Sequence, residues 1–543
     1  MIKRWIIILA LVATVALPFV LRPERAAPAQ ADDTLIIITP HNEAIRHEFG
    51  RGFETWYRER TGRTVFIDWR VIGGTSEIAR FLEGEYVASF RNHWTGSLVR
   101  PWSNVVQAGF QDGRLREDAP AEAREARDAF LASEVSCGID LFFGGGTFDF
   151  ARQAAAGRLV DSGLLQAHPE WFQADIIPQE YAGEEYWDRE GRWIGTVLSS
   201  YGVVYNRDTL QRLGIEQPPQ VWDDLKDPRL KGEVALADPT KSGSIAKAFE
   251  NVIQQQMQRR LLELQALGGR PAAEVETQAV REGWLAGLKL LQLIGANSRY
   301  FTDTSQKPNI DVAAGNCAVG MTIDFYGRQQ AEAVDRRGDP GRVGYVAPRG
   351  GSVSSVDPIA LLRGAPHRQV ALAFMEFVMS MEGQKLWNFR PGTPGGPQHF
   401  ALRRLPIRRD FYAAGFESFL TDPGARPYEE RDQLVYRAAW TGGLFREMAF
   451  IIRVMCQDAH PELVEAWSAI LEAGQPPEAL AILHALDPVS YEQASGPIKR
   501  ALSARNKVEE IELARRLGDH FREQYRRATE VARGKLSPQA DRR

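Results

Sequence analysis

The stretch IDWRVIGGTSEIARFLEG, residues 67–84, begins as a strand and ends as a helix, with Gly73, Gly74, Thr75 and Ser76 between the two. Working outward, TLIIITP (34–40) is a short apolar run closed by proline, which predicts a buried strand. HNEAIRHEFGRGFETWYRERTG then sets Ile45, Phe49, Phe53 and Trp56 at helical spacing, and Gly62 ends that helix. Strands alternating with helices predict an α/β chain with a largely parallel sheet covered on both faces.

The strand-to-helix turn recurs twice, as GGGTFD (144–149) and PTKSGS (239–244). Glycines let a ligand approach the backbone. Hydroxyls cap the helix or donate to an oxygen. The helix N-terminus offers free N–H groups and a partial positive charge. Each turn read alone is explained by helix capping. Three in one chain point further, because ligands of open α/β sheets bind beyond the carboxyl ends of strands. The candidate ligand contacts in these turns are Gly74, Thr75 and Ser76; Gly145, Gly146 and Thr147; and Lys241, Ser242, Gly243 and Ser244. His41 and Asn42 follow the first strand, Tyr201 opens YGVVYN, and Thr304 and Ser305 lie in FTDTSQ. Asp324 and Tyr326 close an apolar strand in MTIDFYGR, facing a cleft or only capping the strand. Trp69 or Tyr201 could stack on a ligand ring or belong to the core.

None of the turns is a Walker loop or a dinucleotide fingerprint. His41 and His47 do not share a helix face, and no HExxH, GxSxG or local Ser/His/Asp set occurs. The 3 cysteines, Cys137, Cys317 and Cys456, lack zinc spacing; they read as small buried hydrophobes, with a single bridge as the alternative. No catalytic residue, metal site or cofactor is therefore expected. A net charge of −4 argues against a nucleic-acid partner.

MIKRWIIILALVATVALPFVL places two basic residues before an apolar run, and Ala29-Gln30-Ala31 follows as a cleavage site. Residues 1–31 read as a secretory signal, with an uncleaved anchor as the alternative, so the body is expected outside the cytoplasm. Residues 85–136 read as an insertion with at least one exposed helix. From about residue 410 the chain looks helical, and Val508, Ile511, Ala514, Leu517, Phe521, Tyr525 and Ala528 form one apolar stripe.

Read in order, VIGGTSEIARF, IDLFFGGGTFDF, SYGVVYN, WDDLKDPRLKG, ADPTKSGS and DPIALL resemble segments of the extracellular solute-binding proteins of ABC importers. The group is that of ferric-ion, thiamine, phosphonate and sugar-phosphate binders, and the resemblance spans roughly residues 34–411. It implies a type II periplasmic-binding fold, with lobe 1 from 32–200 and 346–411 and lobe 2 from 201–345; the insertion at 85–136 and the helical extension at 412–543 lie beyond the usual family body. The ligand would sit between the lobes, held by hinge closure without turnover, and pass to an ABC permease in the inner membrane. Ferric binders pair two adjacent tyrosines where this chain has Phe325 and Tyr326, and place a glutamate where it has glycine after DLFF; His41 matches their histidine. The expected guest is accordingly a small anionic solute bearing phosphate or phosphonate. Ferric ion or a thiamine phosphate is the alternative ligand, and a sensor subunit signalling to a membrane kinase the alternative role. The expected clamp joins Gly74-Thr75-Ser76 to Ser242-Gly243-Ser244 across the cleft. The insertion and extension could dock a partner, cover the cleft or only pack.

Overall fold

In chain order the strands are β1 (Asp33–Ile38), β2 (Val65–Arg70), β3 (Leu141–Phe143), β4 (Leu159–Val160), the small hairpin β5 (Glu180–Tyr181) and β6 (Glu184–Glu185), β7 (Ile194–Ser199), β8 (Tyr201–Asn206), β9 (Val234–Ala237), β10 (Ser298–Thr302), β11 (Val319–Ile323), β12 (Val343–Val346), β13 (Ser355–Leu362) and β14 (Leu405–Pro406). This computed structural model describes residues 31–429, 432–503 and 507–534. The segment expected to be secretory, Ala31 apart, and the basic end at 535–543 lie outside the described residues.

Two sheets share one plan. The first runs β14-β7-β13-β3-β1-β2, with β4 on β13, and the second runs β10-β9-β11-β8-β12. In each, the first strand lies between the second and third in parallel: β1 between β2 and β3, β9 between β10 and β11. An antiparallel strand then follows, β13 beside β3 and β8 beside β11. The sheets are thus mixed where sequence alternation predicts largely parallel ones. The reason is local. Only Ser200 separates β7 from β8, so the chain passes straight from one sheet into the other with no helix to reverse it. The return runs between β12 and β13.

The helices that matter for the site start where these strands end. α1 (Glu43–Thr61) is capped by the Asn42 side chain, which accepts from Ile45 N–H, and stops at Gly62 with φ 71°. α2 (Thr75–Asn92) is longer than its predicted start, so it carries the chain well into the expected insertion. Phe90 on it packs against Phe110 and Phe130 with ring centroids 4.6 and 5.4 Å away, and Ala123, Ala126 and Phe130 of the helix at 121–131 are buried. Residues 85–136 therefore enlarge the first core. α3 (Thr147–Ala155), α4 (Gly243–Leu267), α5 (Ala272–Ala296) and α6 (Asp324–Asp335) follow.

Beyond them, α7 (Phe445–Ile452), α8 (His460–Glu472) and α9 (Lys507–Ala532) join the core of the second sheet. Met448, Ile451, Trp467, Phe521 and Tyr525 pack in one cluster with Trp284, Leu288 and Leu291. The apolar stripe on α9 is corrected at its start: Val508 and Ile511 are exposed, and burial begins at Leu513 and continues through Leu517, Phe521, Tyr525 and Ala528. The first turn of that helix extends past the face it packs against. All three cysteines are free. No helix among the described residues is long and apolar enough to cross a membrane.

Candidate functional site

Every candidate residue except Tyr201 follows the carboxyl end of one of six parallel strands. His41 and Asn42 follow β1, Gly74 to Ser76 follow β2, and Gly145 to Thr147 follow β3. In the second lobe Lys241 to Ser244 follow β9, Thr304 and Ser305 follow β10, and Asp324 and Tyr326 follow β11. The two sets are brought face to face by the crossing strands.

On the first lobe, Thr39 Oγ1 accepts from the His41 N–H at 3.0 Å and turns the chain into α1. The imidazole is buried; its Nε2 lies 3.6 Å from Asp357 Oδ2 and 3.5 Å from Arg404 Nη1. Arg404 is fully buried, donates to Asp357 Oδ2 at 2.7 Å and to Ser199, and stands over the Phe325 ring at 4.5 Å. Burial pushes the His41 pKa down and Asp357 opposes it, with the Arg404 guanidinium pressing the same way as burial. Burial alone would raise the Asp357 carboxyl, but Arg404 and His41 hold it well below the usual carboxylate range. His41 Nδ1 is buried with no hydrogen-bond partner among the described residues.

Glycine is required where the β3 turn meets its neighbours. Gly144 has φ 91° and a Cβ there would lie 2.4 Å from the His41 ring. Gly145 has φ 118° and a Cβ would lie 2.4 Å from Thr75 Oγ1. Gly146 caps α3, which Thr147 opens. Gly74 caps α2, and its N–H donates to Glu77 Oε2 at 2.9 Å, so Glu77 takes up one amide of that turn. The Ser76 hydroxyl lies beside the Asp149 carboxylate and favours its charged form.

In the second lobe Asp238 organises the turn: its Oδ1 accepts from Thr240 N–H at 2.8 Å, and its carbonyl accepts from Lys241 and Ser242 N–H at 3.2 and 3.1 Å. Ser242 Oγ accepts from Ile245 N–H, so that oxygen caps α4. The amides of Gly243 and Ser244, in the first turn, have no intrahelical acceptor. Lys241 is half-exposed and its Nζ is 2.7 Å from Asp303 Oδ1, which places its charge at the rim. Thr304 and Ser305 shape the neighbouring loop through their carbonyls, which accept from Thr302 Oγ1 and Asn309 Nδ2.

The lobes touch at these turns. A Cβ on Gly74 would lie 2.9 Å from the Lys241 carbonyl oxygen, and one on Gly243 would lie 3.8 Å from Asp149 Oδ2. Tyr326 points the same way: its hydroxyl accepts from Gln306 at 2.9 Å and lies beside Asn42 of the opposite lobe, which favours its ionised form. Tyr201 sits at the hinge, its hydroxyl 3.1 Å from Ser355 Oγ. Trp69 packs edge-on to Phe374 at 6.1 Å.

Two expectations change. Asp324 and Tyr326 open α6 and do not close a strand, because the Asp324 N–H donates to the Ser200 carbonyl and starts the helix. Asp324 is buried and its Oδ2 is 2.5 Å from Arg328 Nη2. Sequence reasoning passed over Asp149, Glu77, Asp357 and Arg404. Asp149 and Glu77 each occupy the third helical position after a glycine cap, which is a readable signal. Arg404 and Asp357 reach His41 from distant segments and leave no local one. Among the described residues no three His, Cys, Asp or Glu converge to hold a metal ion.

Residues 145–398 match the family described as bacterial extracellular solute-binding protein, a little under half of the chain. A Haemophilus influenzae protein described as uncharacterized is 27% identical over 249 residues, 46% of this chain and 60% of its own. The phosphoglycerate transport regulatory protein PgtC of Salmonella typhimurium is 23% identical over 195 residues, 36% of this chain and 40% of its own. The chain thus spans less than two thirds of the curated relatives it matches. Among solved structures, the periplasmic binding protein AfuA from Actinobacillus pleuropneumoniae, with fructose-6-phosphate bound, is 16% identical, with 80% of this chain and 98% of that chain covered and a TM-score of 0.43. The two sheets and their crossing strands are those of a two-lobe type II binding fold with added C-terminal helices.

Proposed function

We propose that this chain is an extracellular solute-binding protein, a reading supported by the family match of its residues 145–398, that binds a small phosphate- or phosphonate-bearing solute between its lobes and passes it unchanged to an ABC permease in the inner membrane. The observation that carries this reading is the meeting of the helix-opening turns: Gly74 against the Lys241 carbonyl, Gly243 against Asp149. First-turn amides of α2, α3 and α4 surround that point, and such amides favour an anion. The name of PgtC, a phosphoglycerate transport regulatory protein, agrees with a phosphate-bearing guest.

A ferric-ion site is less well supported. Phe325 offers no phenolate, and Arg404 places a fixed positive charge 3.5 Å from the His41 nitrogen that would face a metal. The word regulatory in the PgtC name favours, as second reading, a sensor subunit signalling to a membrane kinase.

A thermal-shift screen tests the ligand class, using inorganic phosphate, methylphosphonate, glycerol 3-phosphate, thiamine phosphate and Fe(III)-citrate. Phosphate- or phosphonate-bearing compounds are expected to raise Tm. A response to Fe(III)-citrate alone would overturn the reading. Thr75→Ala combined with Ser242→Ala should weaken the responding ligand at least tenfold; unchanged affinity sinks the clamp.

A further inference from the structure

Asp149 is an unexpected group in the wall of an oxyanion site. It is 4% exposed, the third residue of α3, and its carboxylate faces the second lobe, with Oδ2 3.8 Å from the place a Gly243 side chain would begin. The Ser76 hydroxyl lies beside it and favours its charged form. Arg80 and Arg152 act on it through space, and no salt bridge to it exists among the described residues. An ionised carboxylate has about four lone-pair sites. One hydroxyl leaves most of them empty, and a buried charge with empty sites is costly. Burial raises its pKa to about 6, so at neutral pH it is an ionised acceptor.

A carboxylate and a phosphate repel one another unless a proton-bearing group lies between them. The solute itself can supply that group. The wall therefore combines amides suited to the phosphate with a largely buried carboxylate suited to a hydroxyl beside it.

Building on the phosphate reading above, we propose that Asp149 is a specificity-determining residue that accepts a hydrogen bond from a hydroxyl of the bound solute, so that the site selects hydroxylated phosphomonoesters over bare ones. A site built to bond a substrate hydroxyl rejects the analogue lacking it, because its own buried group is left unpaired.

The test compares glycerol 3-phosphate with n-propyl phosphate, which has the same length and charge without the hydroxyls, and adds inorganic phosphate. Affinities are measured by calorimetry at pH 7.5 on the purified protein and on Asp149→Ala and Asp149→Asn, each checked for a cooperative melt. The unmodified protein should bind glycerol 3-phosphate at least tenfold more tightly than n-propyl phosphate. Asp149→Ala should bring the two within about threefold, chiefly by weakening the hydroxylated ester. Asp149→Asn, which keeps an oxygen acceptor, should fall between. Equal affinities in the unmodified protein, an unchanged ratio in Asp149→Ala, or binding of inorganic phosphate with neither ester overturns the role of Asp149 and leaves the phosphate reading standing. Binding of none of the three compounds removes the phosphate reading and this proposal with it.

Discussion

At the strand-end turns the lobes meet through backbone, Gly74 against the Lys241 carbonyl and Gly243 against Asp149. At the seam beside the C-terminal region they meet through a charge. Lys247 of α4 places its Nζ 2.6 Å from Glu184 of the first lobe, 2.8 Å from Glu250 of its own helix and 3.5 Å from the centre of the Tyr436 ring. Tyr436 donates its hydroxyl to Glu250 at 3.0 Å and its N–H to the Ala182 carbonyl at 2.8 Å. Burial pushes the Lys247 pKa down, but Glu184 and Glu250 hold it well above its ordinary value. The turns can separate at small cost, since little but van der Waals contact is lost. The seam cannot, because parting Lys247 from Glu184 leaves buried charge without a partner. A cleft proposed to admit a solute and a seam that resists opening would impose opposite demands, and the chain has glycine in one place and an ion triad in the other.

The seam breaks most severely when its cation is removed. Lys247→Met should cost about 3–5 kcal/mol of stability, because Glu184 and Glu250 remain buried with no counter-charge. Urea unfolding measures this directly. Lys247→Met combined with Glu184→Gln and Glu250→Gln should recover much of the loss, since removing all three charges removes the desolvation cost as well. A loss below about 1 kcal/mol in the single variant would show that water reaches the seam.

The turns respond to pH where the seam is held by pairing. The Asp149 carboxyl is raised from 3.8 to about 6 by burial, with Ser76, Arg80 and Arg152 opposing. A carboxyl raised on folding contributes stability that is fully present below its unfolded pKa and is lost as pH rises through the folded one. Between 3.8 and about 6 the loss amounts to about 3 kcal/mol. Asp149→Asn removes that titration, so its stability relative to the parent should be near zero at pH 4 and rise by up to about 3 kcal/mol at pH 8. Chemical melts at the two pH values check the sign. An advantage that is the same at both would mean that Asp149 is solvated in the cleft.

The turns of the candidate site were legible because helix starts are written locally. The glycine, hydroxyl and lysine residues of GGTSE, GGGTFD and PTKSGS mark chain reversals with open amides, and each turn follows a strand. The alternation of elements also gave the α/β class. It could not show that β13 and β8 run against their neighbours, since strand direction depends on how the chain crosses between sheets. Arg404 was invisible for a different reason: one of four arginines in ALRRLPIRR, it has the surroundings of a solvated loop, and only the fold carries it 363 positions back to His41. The same holds for Lys247, which reads as a surface lysine on a helix until Glu184 is brought against it.

The smallest effect is expected where the two regions join. Phe148 neighbours Asp149 in the first turn of α3, and its ring is 4.6 Å from Phe445 of α7. This is a point where the C-terminal region touches the first lobe beside the turns, and both rings are only half-buried. An aromatic pair contributes about 0.5–1.5 kcal/mol beyond its buried area. Phe148→Ala and Phe445→Ala should each cost about 1–2 kcal/mol, and the double variant should cost less than their sum by about 1 kcal/mol. That coupling energy, read from thermal melts of the four proteins, reports whether the C-terminal region grips the first lobe here as well as at the seam. Strict additivity would mean that α7 bears on the second lobe alone.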